Sequence, residues 1–443
     1  MNVLVLNSGS SSLKYKLFAM GDNGEPAVLA AGLAERIGEP GSRLAHILDP
    51  GGPGEIKEVR EEPLADHAAA LHLAIGLLVA EGVGAVGSTE DIHAVGHRVV
   101  HGGETFSRPV LVDDAVLDAI RAVEPLAPLH NPANRTGIQA ALGLFPGAPQ
   151  VAVFDTAFFA NMGRESFLYP LPYELYAELG LRKYGFHGTS HRFVSRAAAR
   201  MLNLRPDDAS VITAHLGNGC SMAAVRQGRA VDTSLGLTPM AGLMMGTRCG
   251  DIDPAIPAFL ARSKGLDIAA VDKVLNGQSG LKGICGVNDM RDVHALREKG
   301  DERAELALDM FAYRVKRFIG AYLAVVGPCH AVAFTAGIGE NDPEVRARCV
   351  AGLEHLGLVL DPARNLAAVR GRAGDIAAPE STIRILVVPT NEELEIARQT
   401  VEVVGLLAET ESVCGPVPVP GTHAEPGRTQ GRTSGQAAHS AAS

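Results

Sequence analysis

The chain reads as an α/β protein built from two related halves, and three observations carry that reading. Short apolar strand patterns alternate with amphipathic helical patterns along most of the sequence. Two stretches also echo each other: Val3-Leu-Val-Leu-Asn-Ser-Gly-Ser-Ser-Ser-Leu-Lys14 and Val211-Ile-Thr-Ala-His-Leu-Gly-Asn-Gly-Cys-Ser-Met222. Aligning Leu6 with Leu216 sets Gly9 on Gly219 and Ser11 on Ser221. Finally, Asp155, Asn218, Glu340 and Asn391-Glu392 stand just past apolar strands, where ligand sites gather in open α/β sheets.

In chain order, residues 3–6 and 13–18 form a first β-hairpin. Its Gly/Ser turn offers backbone N–H groups and hydroxyls to an anion, and Lys14 adds charge. Residues 65–80 predict a helix, 94–101 a strand, and 116–123 a helix broken by Pro125-Leu-Ala-Pro128. Residues 151–154 are a short apolar strand ending at Asp155, and 190–202 a helix with Thr189 or Ser190 as N-cap. Residues 211–216 open a second hairpin, and 304–326 are a long helix with one apolar face. Strands at 331–335 and 383–388 end in Ala336-Gly-Ile-Gly-Glu-Asn341 and Pro389-Thr-Asn-Glu-Glu393, and a helix at 393–407 closes the pattern. The tail 409–443 is rich in Pro, Gly, Ser, Thr and Ala and has almost no large apolar residues, so disorder is expected there.

At 443 residues, two domains or more are expected, and 46% hydrophobic with 20% charged residues suffices for ordinary globular cores. A formal charge of −10 argues against a nucleic-acid or anionic-membrane surface. Six scattered cysteines without a Cys-x-x-Cys pair fit a reducing cytosol. The start reads as a strand with no basic signal region, and no apolar run approaches the ~20 residues of a membrane span. A soluble, cytoplasmic protein is expected.

Several motifs are weaker than they look. No Gly-Lys dipeptide occurs, which excludes a Walker A loop. Gly82-Val-Gly-Ala-Val-Gly87 follows a helical pattern where a dinucleotide fold needs a strand. His97/His101 and His187/His191 have zinc-ligand spacing, but the first pair sits in a strand pattern and neither encloses a Glu. Packing or hydrogen bonding explains His97 and His101 better. Arg98 and Val100 share one strand face, which suits a small carboxylate with a short hydrocarbon tail. Asp155 and Glu392 could hold Mg²⁺ with phosphates and water. Arg248, in the Gly-flanked Thr247–Asp251 island, could approach a transferring phosphoryl.

From Met1 to about residue 408 the chain resembles the acetokinase family of the acetate and sugar kinase, Hsp70 and actin superfamily. The blocks that carry the resemblance run in order: Asn7–Lys14, Gly96–Gly103, Leu126–Pro132, Phe154–Phe158, Tyr184–His191, His215–Gly219, Gly246–Asp251, Gly337–Asn341 and Thr390–Glu393. The resemblance implies two actin-like (ribonuclease H-like) domains around a cleft. The first would be 1–154 plus about 394–408, and the second 155–393. It implies a homodimer, ATP as co-substrate, Mg²⁺ with Mn²⁺ a candidate substitute, and direct phosphoryl transfer from ATP to acetate, a step on the way to acetyl-CoA.

By motif match, Arg98 and Arg248 should bind the carboxylate and neutralise the phosphoryl, and Asp155 should orient the acid or help hold the metal. His187 should stabilise the phosphoryl's equatorial oxygens. Asn7 and Glu392 should support Mg²⁺ and phosphate. Ser10, Ser12 and Lys14 should shape the first phosphate loop; His215, Leu216, Gly217, Asn218 and Gly219 should meet the nucleotide phosphates. Asp289, Met290, Arg291, Gly337, Ile338, Gly339, Glu340 and Asn341 should surround the nucleotide. Val100, Leu129, Phe186 and Pro239 should line the methyl pocket. The family commonly has His where Phe159 stands, and varies at Met290. The alternatives are a propionate or other short-chain carboxylate kinase of the same fold, a non-catalytic nucleotide-binding switch, and a zinc hydrolase.

Overall fold

Two separate β-sheets organise the computed structural model, which describes residues 1–21 and 26–413. The first sheet comprises β1 (Asn2–Ser8), β2 (Ser12–Ala19), β3 (Ala27–Glu35), β4 (Arg43–Leu48), β5 (Ile56–Arg60), β6 (Ala94–Val99), β7 (Val110–Leu111) and β8 (Gln150–Phe154). The second comprises β9 (Val211–Leu216), β10 (Cys220–Arg226), β11 (Arg229–Thr233), β12 (Ala331–Thr335), β13 (Gly374–Asp375) and β14 (Arg384–Val387). Their orders are β5-β4-β3-β2-β1-β6-β8-β7 and β11-β10-β9-β12-β14-β13.

One five-strand pattern therefore occurs twice. In β3-β2-β1-β6-β8 and in β11-β10-β9-β12-β14, the first two pairings are antiparallel and the last two parallel. The central strands β8, β9 and β12 are buried at every position, as parallel strands covered on both faces must be. The carboxyl ends of β1, β6 and β8 carry Asn7, Arg98 and Asp155; those of β9, β12 and β14 lead into Gly217, Ala336 and Thr390.

The two hairpins are equivalent in topology but not residue by residue. Ser8 pairs with Leu13 in the first, whereas Leu216 pairs with Cys220 in the second. Gly217-Asn218-Gly219 closes the second turn sooner, so Ser11 is a turn residue while Ser221 is a strand residue opposite His215.

Most expected elements are present with shifted ends. The helix expected at 65–80 is His67–Leu78, with Asp66 accepting from Ala69 N at 2.8 Å as N-cap. The helix expected at 116–123 is Asp114–Ala122, and the long helix is Glu302–Val326. The strand expected to reach 101 stops at Val99, because Asn134 and Asn131 side chains take the N–H groups of Val100 and His101 at 3.0 and 3.1 Å. Neither Thr189 nor Ser190 is an N-cap. The helix is Gly188–Met201 and its cap is His187, in the left-handed region at φ 59°. The two hydroxyls are committed elsewhere, to Asp155 and His215.

The last helix, Glu392–Val413, runs past residue 409, where the tail was expected to begin, because Ala408 and Glu409 favour helix and the breakers come only at Gly415 and Pro416. Residues 414–443 lie outside the described residues. No helix of the described residues is long and apolar enough to cross a membrane.

Candidate functional site

The end of the first sheet is an acidic cluster around one arginine. Asp155, fully buried, accepts from Arg98 Nη2 at 2.6 Å and from Arg98 Nε at 3.1 and 3.2 Å. Thr189 Oγ1 donates to its Oδ1 at 2.9 Å. Burial works against the Arg98 charge, but Asp155, Glu392 and Glu393 overcome it and hold the guanidinium firmly protonated. Arg98 Nη1 faces Asn7 Oδ1 at 3.5 Å, too long for a strong bond. Glu393 pairs with Lys14 and, at 3.3 Å, with Lys16. The Glu392 side chain forms no ion pair among the described residues, and burial beside Asp155 and Glu393 pushes its carboxyl above the usual range, against the opposing pull of Arg98 and Lys14.

A different chemistry faces it. The Asp155 carbonyl accepts from Gly188 N at 3.1 Å, and a Cβ on Gly188 would stand 2.0 Å from that oxygen. Only glycine lets the Gly188–Met201 helix start there, and this contact sets His187 beside Asp155. The His187 ring stacks on His215, with centroids 4.3 Å apart, and its Nδ1 lies 2.9 Å from Ser221 Oγ. Burial, then His215, Arg98, His191 and Arg248, push its pKa well below 6.5, so it is neutral at physiological pH. His215 bonds through Nδ1 to Ser190 Oγ at 2.8 Å, and burial lowers it to about 4. Arg248 Nη1 donates to the Pro239 carbonyl at 3.0 Å. Among the described residues the Arg248 guanidinium has no carboxylate partner, and burial lowers its pKa.

Gly217, Asn218, Asp289, Met290, Arg291, Gly337, Ile338 and Asn341 line one cavity of about 690 Å³. Asn288 and His294 join them without having been singled out in the sequence. A Cβ on Gly219 would lie 3.6 Å from both Arg248 Nη1 and His187 Cε1, so the second turn joins this cavity to the arginine.

Other expected site residues are placed differently. Glu340 Oε1 folds back to accept from Ala336 N at 2.8 Å and Thr390 N at 3.0 Å, bracing two strand ends instead of facing the cavity. Gly339 packs against Phe334 and Ala214, and Leu216 is core. Ser10 is exposed on the first turn, Ser12 Oγ sits beside Gly9, and Lys14 is taken by Glu393. Val100 and Phe186 share one core cluster, and Pro239 is tied to Arg248, but Leu129 is 74% exposed.

His97 and His101 are packing residues: His97 Nε2 meets Gln150 Oε1 at 2.7 Å, and His101 Nδ1 accepts from Gly103 N at 3.0 Å. No group of three or more His, Cys, Asp or Glu side chains that could hold a metal ion occurs among the described residues. Sequence reasoning assigned no role to His130, whose pKa is lowered by burial and by both Arg98 and Arg248. It took Thr189 for an N-cap candidate, Ser221 for an echo of Ser11 and Glu393 for the end of a motif, and gave none of them a site role. The Leu126–Pro132 block held the signal for His130.

Known proteins resemble the chain over most of its length. The Acetokinase family matches residues 2–398. The acetate kinase of Nitratidesulfovibrio vulgaris (strain DP4) is 53% identical over 404 residues, covering 91% of this chain and 99% of its own. The acetate kinase of Porphyromonas gingivalis superposes with a TM-score of 0.86 at 44% identity, over 91% of this chain and 99% of its own. A propionate kinase from Francisella tularensis gives 0.83 at 42% identity, over 91% and 99%.

Proposed function

The chain belongs to the acetokinase family and is an ATP-dependent acetate kinase, and from that premise we propose how its residues divide the work. Acetate arrives as a carboxylate, so no proton has to be removed from it. One of its oxygens attacks the γ-phosphorus while the bond to the β–γ bridging oxygen breaks and ADP leaves with the electron pair. Positioning and charge neutralisation then carry catalysis.

Arg98, oriented by Asp155, holds the carboxylate, and Val100, Phe186 and Pro239 surround the methyl group. The nucleotide occupies the cavity at Asp289, Ile338 and Asn341, with its phosphates on the Gly217–Gly219 turn. Arg248 and His187 receive the transferring phosphoryl. The observation that carries this reading is the Arg248 guanidinium, half-buried beside His187 and without a carboxylate partner among the described residues. A desolvated, unpaired cation beside a neutral imidazole is an anion site made ready in advance.

The unpaired Glu392 carboxylate and the Asn7 amide oxygen fit a hard divalent cation. Mg²⁺ binds through few protein oxygens and keeps water and phosphate ligands, which agrees with so sparse a donor set. When bound, it would neutralise nucleotide phosphate charge. The lobes 1–154 with about 394–408, and 155–393, would close over the substrates and exclude water. Family kinship supports a cytoplasmic homodimer whose acetyl phosphate feeds acetyl-CoA formation.

One extra methylene in an apolar pocket is worth only about 1–3 kcal/mol, so propionate is the closest competitor. A hydroxamate assay with ATP, Mg²⁺ and acetate, propionate or butyrate in parallel tests the assignment. Acetate is expected to give the highest kcat/KM. Preference for propionate would overturn the pocket assignment, and ATP binding without product would leave a nucleotide-binding switch.

A further inference from the structure

A neutral imidazole has one N–H, so its tautomer decides whether His187 offers a phosphoryl oxygen a hydrogen or a lone pair. Nδ1 is already engaged, 2.9 Å from Ser221 Oγ. Nε2 forms no hydrogen bond among the described residues and lies 3.8 Å from where a Cβ of Gly219 would stand, on the side of Arg248. The open atom is thus Nε2, and a useful donor must be Nε2–H.

The chain of contacts continues behind Ser221. Its Oγ lies 2.7 Å from His191 Nε2, and His191 Nδ1 lies 2.6 Å from Thr213 Oγ1. Ser221, His191 and Thr213 are all fully buried. Burial and His215 also keep His191 neutral.

Two proton arrangements fit these distances. In one, His187 Nδ1–H donates to Ser221, Ser221 donates to His191 Nε2, and His191 Nδ1–H donates to Thr213. The open Nε2 of His187 is then a lone pair facing phosphate charge. The Thr213 hydroxyl hydrogen also has nowhere to go, because Oγ1 has no other partner among the described residues. A buried hydroxyl hydrogen without an acceptor is costly. In the other, Thr213 donates to His191 Nδ1, His191 Nε2–H donates to Ser221, and Ser221 donates to His187 Nδ1. Every hydrogen between Thr213 and His187 Nδ1 then has an acceptor, and His187 presents Nε2–H on its open side.

We propose that Thr213, His191 and Ser221 form a buried, one-directional hydrogen-bond relay that holds His187 in its Nε2–H tautomer, ready to donate to the transferring phosphoryl. The proposal rests on the role given to His187 above. The three are positioning residues, and Thr213 sets the polarity of the relay from its far end. The Phe159 ring, edge-on to His191 with centroids 5.8 Å apart, keeps that end apolar.

The test pairs a spectrum with kinetics. Histidine ¹⁵N resonances of the whole enzyme report the tautomer of each ring. In the wild type, His187 should be Nε2–H. Thr213→Val keeps the shape and removes the donor. It should shift His187 towards a tautomer mixture and lower kcat about tenfold, with KM for ATP and acetate unchanged, and Thr213→Ser should restore both. A wild-type His187 found as Nδ1–H would overturn the relay without any variant. So would Thr213→Val at the wild-type kcat in an enzyme that His187→Asn slows. Full activity of His187→Asn would instead remove His187 from the chemistry, and the relay with it.

Discussion

Arg98 and Arg248 are the same side chain in opposite company. Arg98 is clamped by buried Asp155, with Glu392 and Glu393 nearby, and these acids hold its charge against burial. Among the described residues, Arg248 has a carbonyl oxygen and the sulfur of Met245 against its guanidinium, and burial lowers its pKa against a weaker opposing pull from Cys220. The first arginine has its counter-charge built in, so it can orient a carboxylate without being pulled from place. The second lacks one, so the charge that arrives with substrate is its first full partner. The contrast extends around each: carboxylates around Arg98, and beside Arg248 the neutral His187, stacked on His215 at the carboxyl end of β9. Placing a guanidinium in a fold does not fix its task; the partners that reach it first do.

Removing the guanidinium of Arg248 is expected to have the largest effect on turnover, about 10³-fold in kcat. Next comes Glu392→Gln, which takes away an unpaired carboxylate that burial already disfavours. It should raise the KM for the divalent cation about tenfold or more while stability holds, because a desolvated charge is lost along with the ligand. A titration of activity against Mg²⁺ checks it; an unchanged cation KM would separate Glu392 from the metal.

The smallest effect is shared by both sheets. His97, His101 and His215 are lowered by burial from 6.5 to about 4. Between those values the unfolded chain binds protons that the native state refuses. Stability is therefore retained above pH 6.5 and falls as pH drops towards 4. Thermal unfolding followed across that window checks the sign, and a flat Tm would contradict it.

Much of this was legible in the sequence, and the reasons differ residue by residue. Apolar runs at β1, β8 and β12, and the mostly apolar β9, stand out because their interiors are buried on both faces, and the residues just past β8 and β9, Asp155 and Asn218, fall at ligand-facing ends. The meander β3 to β5 went unread because its positions are only partly buried and carry no sharp alternation. Glu340 looked like a site residue by position, and only the fold shows its carboxylate turned back onto Ala336 N. Ser221 was read as an echo of Ser11. Its hydroxyl lies between two histidines that precede it by 34 and 30 positions, and the register of β9 with β10 puts it there. Local pattern locates strand ends; which side chains meet across them depends on pairings that local pattern does not contain.

The most direct test sets Arg98→Ala beside Arg248→Ala and measures kcat and thermal stability on both purified proteins. Both should lose kcat, but only Arg98→Ala should lose stability, by about 3–5 kcal/mol, because it strands a buried carboxylate. Arg248→Ala should unfold at or above the wild-type temperature, since it removes a desolvated charge that no acid compensates. Equal destabilisation of the two, or a wild-type kcat in Arg248→Ala, would contradict the division of labour between the two arginines.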